Sequence, residues 1–512
     1  MTVRRVGGFL WLAVGGLGTV AGPAVGQQRA GSSGLVPTRE IDSLLARVIA
    51  DWKVPGVAVG VVSDGRVVLA TGSGYRDLER RLPVTPRTMF GIGSNTKSFT
   101  GLLAAMLVAD GRLSWSEPVR RYLPEFELAD PVATRLATLP DLLTHMTGLP
   151  RHDGLWYGRS WPRSEILGRL RHLEPSATFR AKWQYNNLMF LTAGMVAERV
   201  TGQTWDDLVE RRILTPVGMA ATKTRYRDQL TTSERALTYE LRDGTIEPVP
   251  LRDADNIGPA GSIGSTVEDM LKYVQMYLDN GFVGGKPVIP TPALKAVLTP
   301  HVMMGVDIAA PESDFPELGI RVYGLGLAKT YYRGELMVLH GGGIDGYTSQ
   351  MTWMPARKLG IVVLTNSTSP ASEILTYSLY DRLLGLGPVD WNGRLLKSMT
   401  GPPGGPPVPA TPGAPSHGLA DYTGRFEHPG YGTIDVRERN GRLELTWDRF
   451  TTSLEHWRYD TFRSGAEAKR WGIIPNLASF AATFRTAVDG QVDQVEIPFE
   501  PAVAPIVFRR PN

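Results

Sequence analysis

Phe90-Gly91-Ile92-Gly93-Ser94-Asn95-Thr96-Lys97 is the stretch on which the reading of this chain turns. Leu102, Leu103 and Met106 follow at helical spacing, and Asp110-Gly111 stops the pattern, so a helix is predicted to begin near Ser94. A serine hydroxyl is a poor nucleophile until a neighbour takes its proton. A lysine three residues on lies on the same helical face, where its amine can approach that hydroxyl. The helix N-terminus also favours negative charge at the serine oxygen. No other Ser-x-x-Lys occurs in the chain. Taken alone, the segment is an ordinary helix start.

Two further segments supply the rest of a hydrolytic site. Tyr185-Asn186-Asn187 is the only Tyr-x-Asn present. A phenol beside a lysine ammonium is expected to have a lowered pKa, which suits it to act as general base and then as acid. Asn187 can hold the lysine and offer its amide to a substrate carbonyl. His340-Gly341-Gly342-Gly343 ends a predicted β-run and opens a glycine loop, where a substrate backbone can lie close. A backbone N–H there can join that of Ser94 to hold an oxyanion. Separately, the plain readings are a core tyrosine and a hairpin turn.

In this order and at these separations, the three motifs resemble the class C β-lactamase and serine D-peptidase family, which includes related esterases and D-aminopeptidases. Met89-Phe90-Gly91-Ile92-Gly93-Ser94, Leu142-Leu143-Thr144-His145-Met146-Thr147-Gly148-Leu149 and Pro259-Ala260-Gly261-Ser262 agree with it. The resemblance covers about residues 38–395. It implies an α/β (α+β) fold: a β-lactamase-like sheet with flanking helices, an all-helical lobe and the site between them. It further implies Ser94 as acylated nucleophile, Lys97 as its partner, Tyr185 as general base and acid, and Asn187 as a substrate and lysine contact. The oxyanion hole would be the N–H groups of Ser94 and Gly343, with His340, Gly341 and Gly342 lining the substrate. His340 stands where many of these enzymes carry a lysine. A neutral imidazole anchors a carboxylate less well, so β-lactams and free C-terminal carboxylates are expected to be poor substrates.

The rest of the chain sets the frame. Apolar residues at both ends alternate as strands do, and Asp64-Gly65 reads as a hairpin turn between valine-rich runs. The middle third reads as mostly helical with long loops, and Val267 to Leu278 is its clearest helix. Strands at both termini with helices between suggest one sheet built from both ends. A last helix is predicted from Ser372 to Leu384. Residues 396–418 read as a linker, because their Pro/Gly-rich core cannot bury enough apolar surface to order itself.

Residues 419–512 then alternate with a period of two, as in a small all-β domain. Tyr422, Gly424, Phe426, Tyr431-Gly432 and Asp460-Phe462 resemble the lipocalin-like β-barrel that trails some of these hydrolases. Such a barrel could cover the active-site mouth, bind substrate or act only as a stabilising appendage.

Arg4 and Arg5, the apolar run from Val6 to Val20, and the small residues Ala24 and Gly26 read as a signal peptide over residues 1–26. The alternative is an uncleaved anchor, and either places the catalytic part in the periplasm or outside the cell. With no cysteine, disulfides and thiolate chemistry are excluded. A net charge of +4 with interspersed signs gives no nucleic-acid face. No metal-ligand spacing, nucleophile elbow or phosphate loop is present, so no cofactor or metal is expected, and the partner is a small-molecule or short-peptide substrate. A serine peptidase or amidase of D-aminopeptidase or D-peptidase type, a carboxylic ester hydrolase or weak class C-like β-lactamase, and a non-catalytic peptidoglycan- or peptide-binding protein remain the competing functions.

Overall fold

Val57, Val59 and Val61 alternate with Ala58, Gly60 and Val62 along the strand Gly56–Ser63, and all are buried. A strand covered on both faces needs apolar residues at every position rather than every second one. In the computed structural model, which describes residues 38–304, 315–399, 413–472 and 474–511, this strand lies inside a nine-stranded sheet. It pairs antiparallel with Leu359–Thr365 on one side and Arg66–Asp77 on the other, so one sheet joins both ends of the catalytic region. Val57, Val59 and Val61 pack with Ile41, Leu44 and Val48 of the helix Thr38–Trp52 and with Ile374 and Leu375 of the helix Ala371–Leu383. Ala58 and Val62 face the other way, toward Val267, Leu271 and Val274 of the helix Val267–Leu278.

The second face also carries the helical lobe. Its centre is the helix Thr96–Ala109, which is buried from Thr96 to Leu107. A helix apolar all round belongs inside a protein. Gly101 lets it approach the segment after Val322–Tyr323, since a Cβ there would collide with the Leu325 carbonyl.

Three expectations need correction. The strand Glu335–Ile344 runs through His340 and all three glycines, so no glycine loop opens there. Glycine weakens strands in general, but a Cβ on Gly342 would strike the Ile92 carbonyl oxygen, and one on Gly341 would lie 2.6 Å from Gln350 Oε1. Their missing side chains make room for neighbouring protein atoms. The mostly helical middle contains a hairpin, Thr238–Arg242 with Thr245–Val249, turned at Asp243 and Gly244. Ala371–Leu383 is not the last helix before the linker: Trp391–Met399 follows, anchored by the buried Trp391, so residues 396–399 are helical. Residues 400–412 of the expected linker and the whole expected signal segment lie outside the described residues. Among the described residues no helix is long and apolar enough to cross a membrane.

Beyond residue 413 eight strands, from Gly424–His428 to Ile506–Arg509, close into a barrel. Closure leaves no free edge. Phe426, Trp447, Phe462, Phe484, Phe499 and Phe508 are all buried in it, and Trp447 stacks on Phe499 at 4.2 Å. An eight-stranded barrel has just enough interior for such side chains, and here aromatic rings fill it.

Two of the helical glycines, Gly101 and Gly168, give opposite expectations. Alanine gains about 1 kcal/mol over glycine in a helix. At Gly168, in the helix Arg163–Arg169, an added Cβ meets nothing within 4 Å, so Gly168→Ala should raise Tm. At Gly101 overpacking costs about 1–3 kcal/mol or more, so Gly101→Ala should lower Tm despite its helix propensity. Thermal unfolding of both variants checks the pair.

Candidate active site

Ser94 sits in a single 3-10 turn, Gly93–Asn95, that leads directly into the helix Thr96–Ala109. Gly93 has φ +48°, a conformation that side chains rarely adopt, and this kink presents Ser94 at the helix start. A Cβ on Gly93 would lie 2.8 Å from Gly343 N, so the two residues lie against each other. Gly343 itself is exposed, and a Cβ there would meet nothing within 4 Å. The Gly93-Ser94 turn and Gly343 thus lie side by side, with open space next to Gly343.

Lys97 is fully buried, at 0% exposure. Its Nζ lies 3.1 Å from Ser94 Oγ, 2.7 Å from Asn187 Oδ1 and 2.9 Å from the Ala260 carbonyl oxygen. The helix Asn187–Thr201 starts at this point, capped by the Asn186 side chain on Met189 N–H, so Asn187 enters the site from its first turn. Burial drives the Lys97 pKa far below its ordinary value; the nearby Arg151 cation lowers it further and the Asp153 carboxylate opposes this.

The neighbouring Ser94 favours the ionised Tyr185 phenol, but burial moves its pKa up, to about 12. The expected lowering fails for a physical reason. Burial of the phenol outweighs its favourable partners. The amine meets the face of the ring, 4.7 Å from its centroid. Tyr185 thus keeps its proton. His145 packs 4.5 Å from the Tyr185 ring and accepts the Asn186 N–H on Nδ1, which locks the Tyr185-Asn186-Asn187 turn.

The Asn187 amide nitrogen donates one of its two hydrogens to Asp153 Oδ1 at 2.9 Å. Asp153 Oδ1 also accepts from Trp156 Nε1, and Oδ2 accepts from Arg151 Nε at 2.6 Å. Arg151, half-exposed, lies with its guanidinium carbon 5.0 Å from the centre of the Tyr185 ring. These charged residues come shortly after the family-like stretch that ends at Gly148-Leu149. Sequence reading missed them, because a charged pair in a loop carries no periodicity; its only signal is closeness to that text.

His340 is brought beside Lys97 but does not face substrate with a free nitrogen. Its Nδ1 lies 2.6 Å from the Gly341 carbonyl oxygen and must donate to it, so Nε2 accepts from the Tyr323 hydroxyl at 3.0 Å. Burial and then the Lys97 charge push its pKa down to about 3, so the imidazole is neutral. Among the described residues, no group of three or more His, Asp or Glu could hold a metal.

This geometry has relatives. Residues 41–384 match the Beta-lactamase family, and residues 408–510 match a domain of unknown function, DUF3471. The chain is 32% identical over 433 residues to the Unguisins hydrolase ungD of Aspergillus violaceofuscus, covering 77% of this chain and 76% of that one. Among solved structures it is similar to the octameric penicillin-binding protein homologue from Pyrococcus abyssi, with TM-score 0.62 and 25% identity over 93% of this chain and 100% of that one. A class C beta-lactamase shares the fold at TM-score 0.55 and 21% identity, over 68% of this chain and 95% of its own. The chain belongs to the beta-lactamase family, and within it is a serine hydrolase.

Proposed function

We propose that this enzyme is an amidohydrolase of the peptidase type that works through an acyl-enzyme on Ser94. The observation that carries the reading is the set of three oxygens around Lys97 Nζ. A neutral amine has two hydrogens and one lone pair. Asn187 Oδ1 and the Ala260 carbonyl can only accept, so they take the hydrogens, and the lone pair is left for the Ser94 hydroxyl. Burial of Lys97 favours this neutral form.

Lys97 then removes the Ser94 proton as Oγ attacks the substrate carbonyl carbon. The C=O pair moves to oxygen, where the N–H groups of Ser94 and Gly343 stabilise it. On collapse the carbonyl reforms and the C–N bond breaks, and the leaving nitrogen takes the Tyr185 proton. The proton held on Lys97 restores Tyr185. Water repeats the sequence on the acyl-enzyme, with its proton going to Lys97, and frees Ser94. An amine needs a proton to leave far more than an alcohol does, and Tyr185 holds one. That favours amides over esters.

The uncharged His340 offers no cation to a substrate carboxylate, and Arg151 is already paired with Asp153. Substrates without a free carboxylate beside the scissile bond are therefore preferred. Action outside the cytoplasm belongs to the same proposal and rests on the basic and apolar N-terminal pattern of residues 1–26.

Ser94→Ala should abolish turnover of aminoacyl amides while leaving the protein folded, and the native enzyme should show higher kcat/KM on an amide than on its matched free acid. Turnover by folded Ser94→Ala at the native rate would refute the mechanism. The pH profile gives a second check. If the neutral Lys97 is the base, kcat/KM falls on the acid side as the amine gains a proton. Arg151 disfavours that proton, so Arg151→Gln should move the acid limb to higher pH. A limb that stays in place, or moves lower, would contradict the assignment of Lys97 as base.

A further inference from the structure

The barrel is fitted to the catalytic region by missing side chains. A Cβ on Gly154 would lie 2.8 Å from Trp447 Cη2 and 3.0 Å from Tyr431 Cε1. One on Gly158 would collide with the Phe450 ring, and one on Gly472 of the barrel would collide with the Tyr157 hydroxyl. Gly158 and Gly472 both have positive φ. Residues 152–159 are buried throughout, although they form a loop. Arg159 adds a guanidinium 3.6 Å from the Trp447 ring centre and an ion pair with Asp448 at 3.5 Å.

This same loop carries Asp153, which holds the Asn187 amide. Its backbone turns sharply at His152, with φ +43° and ψ +43°. A left-handed conformation in a residue other than glycine is costly and persists only where surroundings impose it. Here the barrel imposes it. Glu500, itself 4% exposed, accepts the His152 N–H on Oε2 at 2.7 Å. Its other oxygen accepts the Ala502 N–H at 3.1 Å, which fixes the carboxylate. The His152 ring is held as well. Nε2 lies 2.9 Å from the Glu174 carbonyl and donates to it, so Nδ1 accepts from the Tyr431 hydroxyl at 2.7 Å.

The opposite wall of the site is tied to the barrel too. Asp345, two residues after Gly343, bonds Tyr157 and pairs with Arg252 at 2.7 Å, and Arg252 donates to the Trp471 carbonyl at 2.8 Å.

We propose that Glu500 of the C-terminal barrel is a positioning residue for catalysis: it holds the His152 turn that places Asp153 on Asn187, and so sets the amide oxygen that orients the Lys97 amine toward Ser94. The inference rests on the Ser94–Lys97 reading above. Glu500 touches no reacting atom. Its effect passes along the chain His152, Asp153, Asn187, Lys97, and should fall on the proton-transfer steps rather than on substrate binding.

Small misplacements of a reacting group cost up to about a hundredfold in rate. Glu500→Ala should therefore lower kcat about tenfold to a hundredfold and leave KM within about twofold. Glu500→Gln keeps one oxygen for the His152 N–H and should recover most of the loss. Phe462 packs on Tyr422 and Phe484, away from the loop, so Phe462→Ala should lower Tm yet keep kcat below its melting temperature. Should Glu500→Ala fail to fold, Tyr431→Phe, which removes only the hydroxyl on His152, should show the same kcat loss at constant KM. Native kcat in Glu500→Ala or Tyr431→Phe would overturn the proposal, as would an equal kcat loss in Phe462→Ala. If Ser94→Ala is inactive while Glu500→Ala keeps native kcat, the serine mechanism stands and the barrel brace falls. An active Ser94→Ala removes the mechanism itself.

Discussion

A lysine amine sealed from water between three oxygens is the constraint on which the site depends. An isolated ammonium in such a place is costly, and the molecule relieves this by favouring the neutral amine rather than by bringing a carboxylate into contact. Asp153 stands one residue back, bonded to Asn187 rather than to Lys97. It therefore orients the amide without neutralising the amine by direct pairing. Desolvation likewise raises the pKa of the Tyr185 phenol. In the proposed mechanism these opposite shifts suit Lys97 to act as base and Tyr185 as acid on a single hydroxyl.

Everything that makes this environment dry comes from elements distant in sequence. The helix Thr96–Ala109 supplies Lys97, the first turn of Asn187–Thr201 supplies Asn187, and the four-residue helix Gly258–Gly261 supplies the Ala260 carbonyl. The strand Glu335–Ile344 closes the fourth side, and its glycines let it come against Ile92 and Gly93. The barrel adds a second layer. Its aromatic end is packed solid, so it meets the catalytic region as a rigid surface and not as an open cup.

The region around Ser94 is legible because its signals are local. Ser94 and Lys97 stand three residues apart at a helix start, and apolar residues follow at helical spacing. The strand Gly56–Ser63 was legible for a similar reason, from its valines and the Asp64-Gly65 turn. What sequence could not show are contacts without a local period. Glu500 lies 348 residues from His152, and nothing in either neighbourhood points to the other. Asp153 and Arg151 sit in a loop whose burial comes entirely from tertiary packing. His340-Gly341-Gly342-Gly343 misled in another way. Glycine runs usually break strands, and here they serve close approach within one. For Tyr185 the sequence shows a neighbouring cation but not burial, and burial is the larger effect on both partners.

The proposed chemistry depends on the protonation state of one amine. Nitrogen-15 NMR of the lysine side chains, with Lys97 assigned by comparison with Lys97→Met, reads that state directly across a pH series. A Lys97 midpoint far below the ordinary lysine value of about 10.4 is predicted. A midpoint at or above that value would mean that the buried group is a permanent ammonium, and the Ser94 proton would then need another acceptor.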